Sequence, residues 1–301
     1  MFHGFEPFDI TTQQGDGLPT VTIHGLKSIS DPSLPPLLLL HGFPQTLHIW
    51  HRVAPRLTSR FQLVLFDIRG YGASSKPAQL EAYAKSAMAR DCIAVMDALG
   101  FKDGSFYVCA HDRGARVAHK LCVDFPSRVK SAILLDICPT LAMYTKTDLA
   151  FAKAYFHWFF LIQKEPLPET LINAAPRRFA ELFMGGRQTS QIFDDACWEE
   201  YVKVLEDPVA VHAMCQDYRA ASTLDLEESR KDLASGRKIE CPLMVLWGKH
   251  GVIEACFNAV EEWRAVAKDG SQVSGRSVDS GHYVPEHAPD DVVSSIEQFF
   301  V

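Results

Sequence analysis

An α/β architecture with a mostly parallel sheet and a helical insertion is predicted by three observations on the 301-residue chain. Short apolar runs alternate with stretches of helical periodicity. From the second run onward these runs are almost continuously apolar, as strands covered on both faces must be. The alternation stops after Pro139 and resumes at Cys241, leaving a long segment with helical patterning alone.

The strand-like runs are "VTIHG" (21–25), "PLLLLHG" (36–42), "QLVLFD" (62–67), "FYVCAHD" (106–112), "SAILLD" (131–136) and "PLMVLWG" (242–248). Between them, Cys92, Val95, Met96 and Leu99 recur at helical spacing and end at Gly100, while Val117 and Leu121 form a stripe after Gly114. The segment from Thr140 to about Arg237 is dense in aromatics ("FAKAYFHWFFL") and carries "EPLPE" as a connector. It reads as a helical cap inserted in the core, and such caps roof pockets. The expected organisation is a core made of residues 1–139 and 239–301, with a cap over 140–238.

A composition of 47% hydrophobic and 22% charged residues supports a sizeable core in one or two domains. The formal charge of −7 offers no long-range attraction to phosphate backbones or anionic lipid, which excludes nucleic acid and membrane surfaces as expected partners. The N-terminal "MFHGFEPFDITTQQGDG" lacks a charged start, an apolar stretch and a cleavage site, so a cytoplasmic location is expected. The eight cysteines are scattered without a C-x-x-C pair and read as reduced residues, mostly in apolar segments.

The stretch "CAHDRGAR" (109–116) is the most informative. A strand followed by small-x-acid-x-Gly and then a helix is the layout of a nucleophile elbow, with Asp112 where many hydrolases carry serine. The tight turn needs small neighbours, which Ala110 and Gly114 supply, although glycine is the usual residue at the first of these positions. No G-x-S-x-G occurs in the chain. "DSGHYVPEHAP" (279–289) supplies His282 after the elbow and near the C-terminus, in the chain order nucleophile, acid, histidine. A third group must orient that histidine and stabilise its charged form. The common slot four residues past Trp247 holds Gly251, so Asp136, ending the strand after the elbow, is the expected acid, with Glu254 as the fallback. The histidines of "LHIWH" and "HYVPEH" lack partners suited to a metal, and no cofactor is expected.

Taken together, "HGFPQT" (41–46), "FDIRGYGAS" (66–74), "AHDRGAR", "LLDICPT" (134–140), "YFHWFF" and "DSGHYVPE" resemble the haloacetate (fluoroacetate) dehalogenases of the α/β-hydrolase superfamily, across nearly the whole chain. The core motifs are shared with epoxide hydrolases and haloalkane dehalogenases. The pair Arg113 and Arg116, with "HW" in the cap, is the specific part. The resemblance implies that Asp112 displaces halide to form an ester and that His282, oriented by Asp136, activates the water that hydrolyses it. It implies an oxyanion hole from the backbone N–H groups of Phe43 and Arg113, and a carboxylate clamp from the side chains of Arg113 and Arg116, a role suited to the guanidinium fork. Halide contacts fall to His157, Trp158 and Tyr218. The expected partner is a small-molecule acid; a homodimer is admitted but not required. Two alternatives stand beside this reading. An epoxide hydrolase would use the same Asp112 with two cap tyrosines, Tyr218 plus Tyr144 or Tyr155; a non-catalytic protein of the same fold would bind a small acid without turnover.

Overall fold

The structure is a computed structural model that describes residues 1–13, 15, 17–185 and 192–300. Eight strands form one sheet: β1 (Phe5–Thr12), β2 (Val21–Ser28), β3 (Pro36–Leu40), β4 (Gln62–Phe66), β5 (Phe106–His111), β6 (Val129–Leu135), β7 (Leu243–Gly248) and β8 (Val273–Val278). Their spatial order is β1-β2-β4-β3-β5-β6-β7-β8. Only the β1–β2 and β2–β4 pairs are antiparallel. From β4 across to β8 every pair is parallel.

The apolar runs have a physical reason. Successive residues of a strand point to opposite faces, and here both faces are packed. Leu38, Leu40, Val64, Phe66, Val108, Ala110, Ala132 and Leu134 enter the core layer on one face. Leu37, Leu39, Leu63, Leu65, Tyr107, Cys109, Ile133 and Leu135 enter the layer on the other. A polar residue at either phase would be buried without a partner, so the central strands confine theirs to the ends, Gln62 opening β4, Lys130 and Ser131 near the start of β6 and His111 closing β5.

Two strands escape the sequence reading. β1 lies at one edge of the sheet with most of its residues partly or fully exposed, so its pattern is broken by Glu6, Pro7 and Asp9. β8, at the other edge, reads "VSGRSV", and only its two end residues are buried.

Helices α1 (Lys85–Met96) and α2 (Asp112–Asp124) follow β4 and β5. The first ends near Gly100, whose φ of 97° leaves the helical region, as the pattern predicts. Between β6 and β7 every described element is helical: α3 (Thr140–Thr145), α4 (Leu149–Ala154), α5 (Phe156–Leu161), α6 (Leu167–Ala174), α7 (Pro176–Phe183), α8 (Asp195–Glu206), α9 (Pro208–Ser222) and α10 (Leu224–Ala234). The aromatic run "FAKAYFHWFFL" is therefore two short helices broken at Tyr155. The chain closes with α11 (Val252–Cys256), α12 (Ala259–Ala265), α13 (Val284–His287) and α14 (Pro289–Phe299). Among the described residues no helix is long and apolar enough to cross a membrane. All eight cysteines are free.

This topology gathers the chemistry. The chain leaves β3 to form β4 on one side and returns to β5 on the other, and ligands of open α/β sheets bind at such a reversal, outside the carboxyl ends of the strands. Phe43 follows β3, Asp112 follows β5, Asp136 follows β6 and His282 follows β8, all beyond the same edge.

Candidate active site

Asp112 sits at the junction of β5 and α2 with φ of 42°, in the left-handed region that a residue with a Cβ enters at a cost. The turn is tight because α2 starts against β3. A Cβ on Gly114 would come within 2.3 Å of the His41 carbonyl, and one on Gly42 would lie 2.6 Å from the Asp112 Cβ. Ala110 is fully buried and its methyl fits, so the missing elbow glycine is tolerated. The amide of Phe43 donates to Asp112 Oδ2 at 3.1 Å, a backbone donor placed as an oxyanion hole would need it.

His282 Nδ1 lies 2.6 Å from Asp136 Oδ2, and the Gly248 amide donates to Asp136 Oδ1 at 2.8 Å. Asp136 also has a positive φ, 52°, which the sequence reading did not anticipate. Both backbone strains at this sheet edge therefore fall on the two acids. Gly251 stands beside Asp136, and a Cβ there would be 3.5 Å from its Oδ1. The two positions address the same space, so the carboxylate that follows β6 reaches His282 where the slot after β7 holds glycine. Glu254, exposed, instead accepts a hydrogen bond from the half-buried Trp247 indole.

Burial disfavours a charged His282, but the hydrogen bond and charge of Asp136 outweigh it and raise its pKa above the usual histidine value. Burial would also raise the pKa of Asp112. The positive groups around it, His282 and Arg116 foremost, lower it instead and keep the carboxylate ionised.

Sequence reasoning overlooked His111, which follows Ala110 into the elbow. Its Nε2 donates to the His282 carbonyl at 2.8 Å and so holds the histidine loop to the nucleophile turn. Burial depresses its pKa to about 3, leaving it neutral. Position beside the nucleophile was the available signal.

A cavity of about 490 Å³ opens over Asp112 and His282, with Phe43, Tyr155 and His157 in its wall and cap aromatics Phe156, Phe160, Phe179 and Phe183 around it. Tyr155 brings its hydroxyl 3.2 Å from His282 Nδ1. The His157 ring packs 5.8 Å from that of Tyr218, and Trp158 lies 6.4 Å from Tyr218. Burial lowers the pKa of His157 to about 3, so it is a neutral donor.

The two arginines of α2 differ from the expected symmetric clamp. Neither is a surface residue. Arg113 donates from Nε and Nη2 to both carboxylate oxygens of Asp217 on α9, each at 2.7 Å, and lies 4.3 Å from the Tyr218 ring. Arg116 forms no ion pair among the described residues. Its Nη1 donates to the Cys138 carbonyl at 3.2 Å and to Thr140 Oγ1 at 3.0 Å, and its guanidinium stands 4.6 Å from the Trp158 ring. The sequence could show the spacing of two arginines but not that a carboxylate 104 positions away occupies one of them.

Six buried donors around this site have no hydrogen-bond partner: Arg113 Nη1, Arg116 Nε, His157 Nδ1, Trp158 Nε1, Tyr218 OH and Tyr144 OH. Buried polar groups are ordinarily satisfied, so such a cluster marks a place for a ligand rich in acceptors. Metal-binding geometry occurs elsewhere: among the described residues Glu165, Glu169 and His212 form one possible group, on the cap, and Glu169 is already paired with Arg219 at 2.7 Å.

Residues 35–286 match the family model described as alpha/beta hydrolase fold. The chain is 40% identical over 304 residues to a fluoroacetate dehalogenase of Burkholderia sp, covering 99% of this chain and 95% of that one. It is 30% identical over 280 residues to a soluble epoxide hydrolase of Corynebacterium sp. (strain C12), covering 88% and 90%. A crystal structure of a protein from Nostoc sp PCC 7120, described as an alpha/beta hydrolase, superposes with a TM-score of 0.90 at 43% identity, covering 100% of this chain and 99% of that one.

Proposed function

We propose that this chain, which belongs to the alpha/beta-hydrolase family, hydrolyses haloacetates such as fluoroacetate and chloroacetate to glycolate and halide. The observation that carries the reading is the set of partnerless buried donors beside an ionised Asp112. A haloacetate presents a carboxylate at one end and a developing halide at the other. Guanidinium N–H groups suit the first and neutral donors suit the second. Similarity to a fluoroacetate dehalogenase along 99% of the chain supports the same reading.

An oxygen of Asp112 attacks the carbon bearing halogen, the carbon–halogen bond breaks, and halide leaves toward His157, Trp158 and Tyr218 as an ester forms. His282, held by Asp136, takes a proton from water as the water oxygen adds to the ester carbonyl. The Phe43 amide, and with it that of Arg113, stabilises the oxyanion. Collapse breaks the bond to the substrate oxygen, which takes up the proton, and Asp112 returns as carboxylate.

A second reading, epoxide hydrolysis on the same Asp112, is favoured by the partnerless hydroxyls of Tyr218 and Tyr144 and by similarity to epoxide hydrolases. One experiment separates them: halide release from fluoroacetate, chloroacetate and chloroacetamide beside diol formation from styrene oxide. Release from both acids and not from the amide is expected. Diol formation without halide release would replace the first reading with the second; binding of the acids without turnover would make the chain a non-catalytic binder.

A further inference from the structure

Asp217 takes no part in the chemistry above, yet it is the most heavily bonded carboxylate near the site. It is fully buried on α9, one residue before Tyr218. Oδ2 accepts from Arg113 Nε at 2.7 Å and from the Tyr71 hydroxyl at 2.9 Å. Oδ1 accepts from Arg113 Nη2 at 2.7 Å and from Lys85 Nζ at 2.5 Å. The Asp217 carbonyl accepts a further bond from Arg113 Nη2 at 2.8 Å. Burial alone would raise its pKa, but the charges of Arg113 and Lys85 hold it well below the usual carboxylate range. One side chain of the cap is thus fastened to three core segments: the loop after β4, the start of α1 and the start of α2.

A single ion pair would serve to anchor a cap. This one does more, because it fixes the plane of a guanidinium: two of the three nitrogens of Arg113 are spent on Asp217, and Nη1 alone is left without a partner. Held in that plane, Arg113 also lies over the ring of Tyr218, the residue that follows Asp217.

We propose that Asp217 is a positioning residue that aims Arg113 Nη1 at the substrate carboxylate and makes that aim depend on α9 being seated on the core. The proposal rests on the reading that the substrate is an anion. It divides the labour of the two arginines. The charge of Arg113 is balanced by Asp217, so it supplies a directed donor; Arg116, which pairs with no carboxylate among the described residues, supplies the net positive charge.

The test combines steady-state kinetics on chloroacetate with calorimetric binding of glycolate for the wild type, Asp217→Asn and Tyr71→Phe. Asp217→Asn keeps the side-chain shape and removes the charge that holds the fork; it is expected to raise KM and weaken glycolate binding about 10- to 100-fold, with kcat changed by less than about threefold. Tyr71→Phe removes one tether without altering charge and should raise KM about threefold at unchanged kcat. A purely structural role would lower kcat through lost active protein and leave KM and glycolate affinity alone. That result in Asp217→Asn overturns the proposal; should that variant not fold, unchanged KM and glycolate affinity in Tyr71→Phe overturn it. A wild type that binds glycolate but releases no halide would remove the dehalogenase reading while the affinities still decide the role of Asp217.

Discussion

The two halves of the site are built on different terms. On the core side the groups around Asp112 and His282 are joined to one another, Phe43 N–H to Asp112, His282 to Asp136, Asp136 to the Gly248 amide, and His111 to the His282 carbonyl, and the open donors there are Arg113 Nη1 and Arg116 Nε of α2. On the cap side the indole of Trp158, the hydroxyls of Tyr218 and Tyr144 and Nδ1 of His157 are buried with no partner. A buried donor left unmade costs about 1–3 kcal/mol, so a fold keeps several together only where a ligand satisfies them. In the proposed reaction the core half makes the bonds and the cap half recognises what leaves. Catalysis and selectivity should therefore separate by region under mutation.

The largest effect expected is on the core half. Asp112→Ala or Asp112→Asn should lower turnover by more than about 10⁴-fold, and His282→Asn should trap the ester, because attack precedes water activation. Mass spectrometry of the peptide containing Asp112 would detect the adduct. Full activity in Asp112→Ala would end the division of labour at its first step.

Next in size is the orienting acid. Asp136→Asn leaves a buried histidine without its counter-charge and should slow ester hydrolysis by about 10²- to 10⁴-fold. Glu254→Gln, which only alters the bond to the Trp247 indole at the surface, should stay within about twofold of wild type. Rapid-quench measurement of ester decay in both variants ranks them, and the reverse order would move the acid from β6 to α11.

The cap half should show itself as a difference between substrates. Fluoride is small, strongly hydrated and a poor leaving group, so its departure depends on donors that replace water, and chloride needs them less. Trp158→Phe and Tyr218→Phe should each cost fluoroacetate about 2–4 kcal/mol in activation free energy, and chloroacetate less. Fluoride-electrode and chloride-release rates on the same variants give the ratio. Equal losses would mean that these residues only shape the cap.

The smallest effect concerns the seam between the halves. Glu286 on α13 is fully buried; its Oε1 accepts from Gln45 Nε2 at 3.2 Å and from the Tyr201 hydroxyl of the cap, and its Oε2 accepts no hydrogen bond and lies 3.9 Å from His51 Nδ1. Burial pushes its pKa up to about 8 from an ordinary 4.5. Across that interval the folded chain holds a proton that the unfolded chain has released, so this group's contribution to stability is full below 4.5 and is lost as pH rises through about 8. Glu286→Gln should therefore flatten the fall in melting temperature on the alkaline side, gaining a few degrees relative to wild type near pH 9 and little near pH 5. Parallel pH profiles of the two proteins would contradict this.

How far the sequence reached follows from what each feature depends on. The central strands were legible because burial on both faces forbids polar residues at either phase, and the elbow because a turn at positive φ restricts its neighbours to small side chains. The edge strands β1 and β8 were not, since an edge face open to water tolerates Glu6, Asp9 and Arg276. Asp136 could be inferred as the acid because Gly251 left the other slot empty, but its positive φ could not. His111 and Tyr155 were missed as neighbours of His282 because their contacts span 171 and 127 positions.

By itself, then, the chain determined an α/β core with a helical insertion and singled out the candidate nucleophile, histidine and acid, all from local burial, turn geometry and chain order. Tertiary structure alone decided the inequality of the two arginines. Residues 113 and 116 are equivalent as text, three apart on one helix, and become different only when α9 places a buried carboxylate against the first and leaves the second facing backbone, a hydroxyl and a sulfur. Charge pairing in a dry interior is set by distance in space, and a sequence records only distance along the chain.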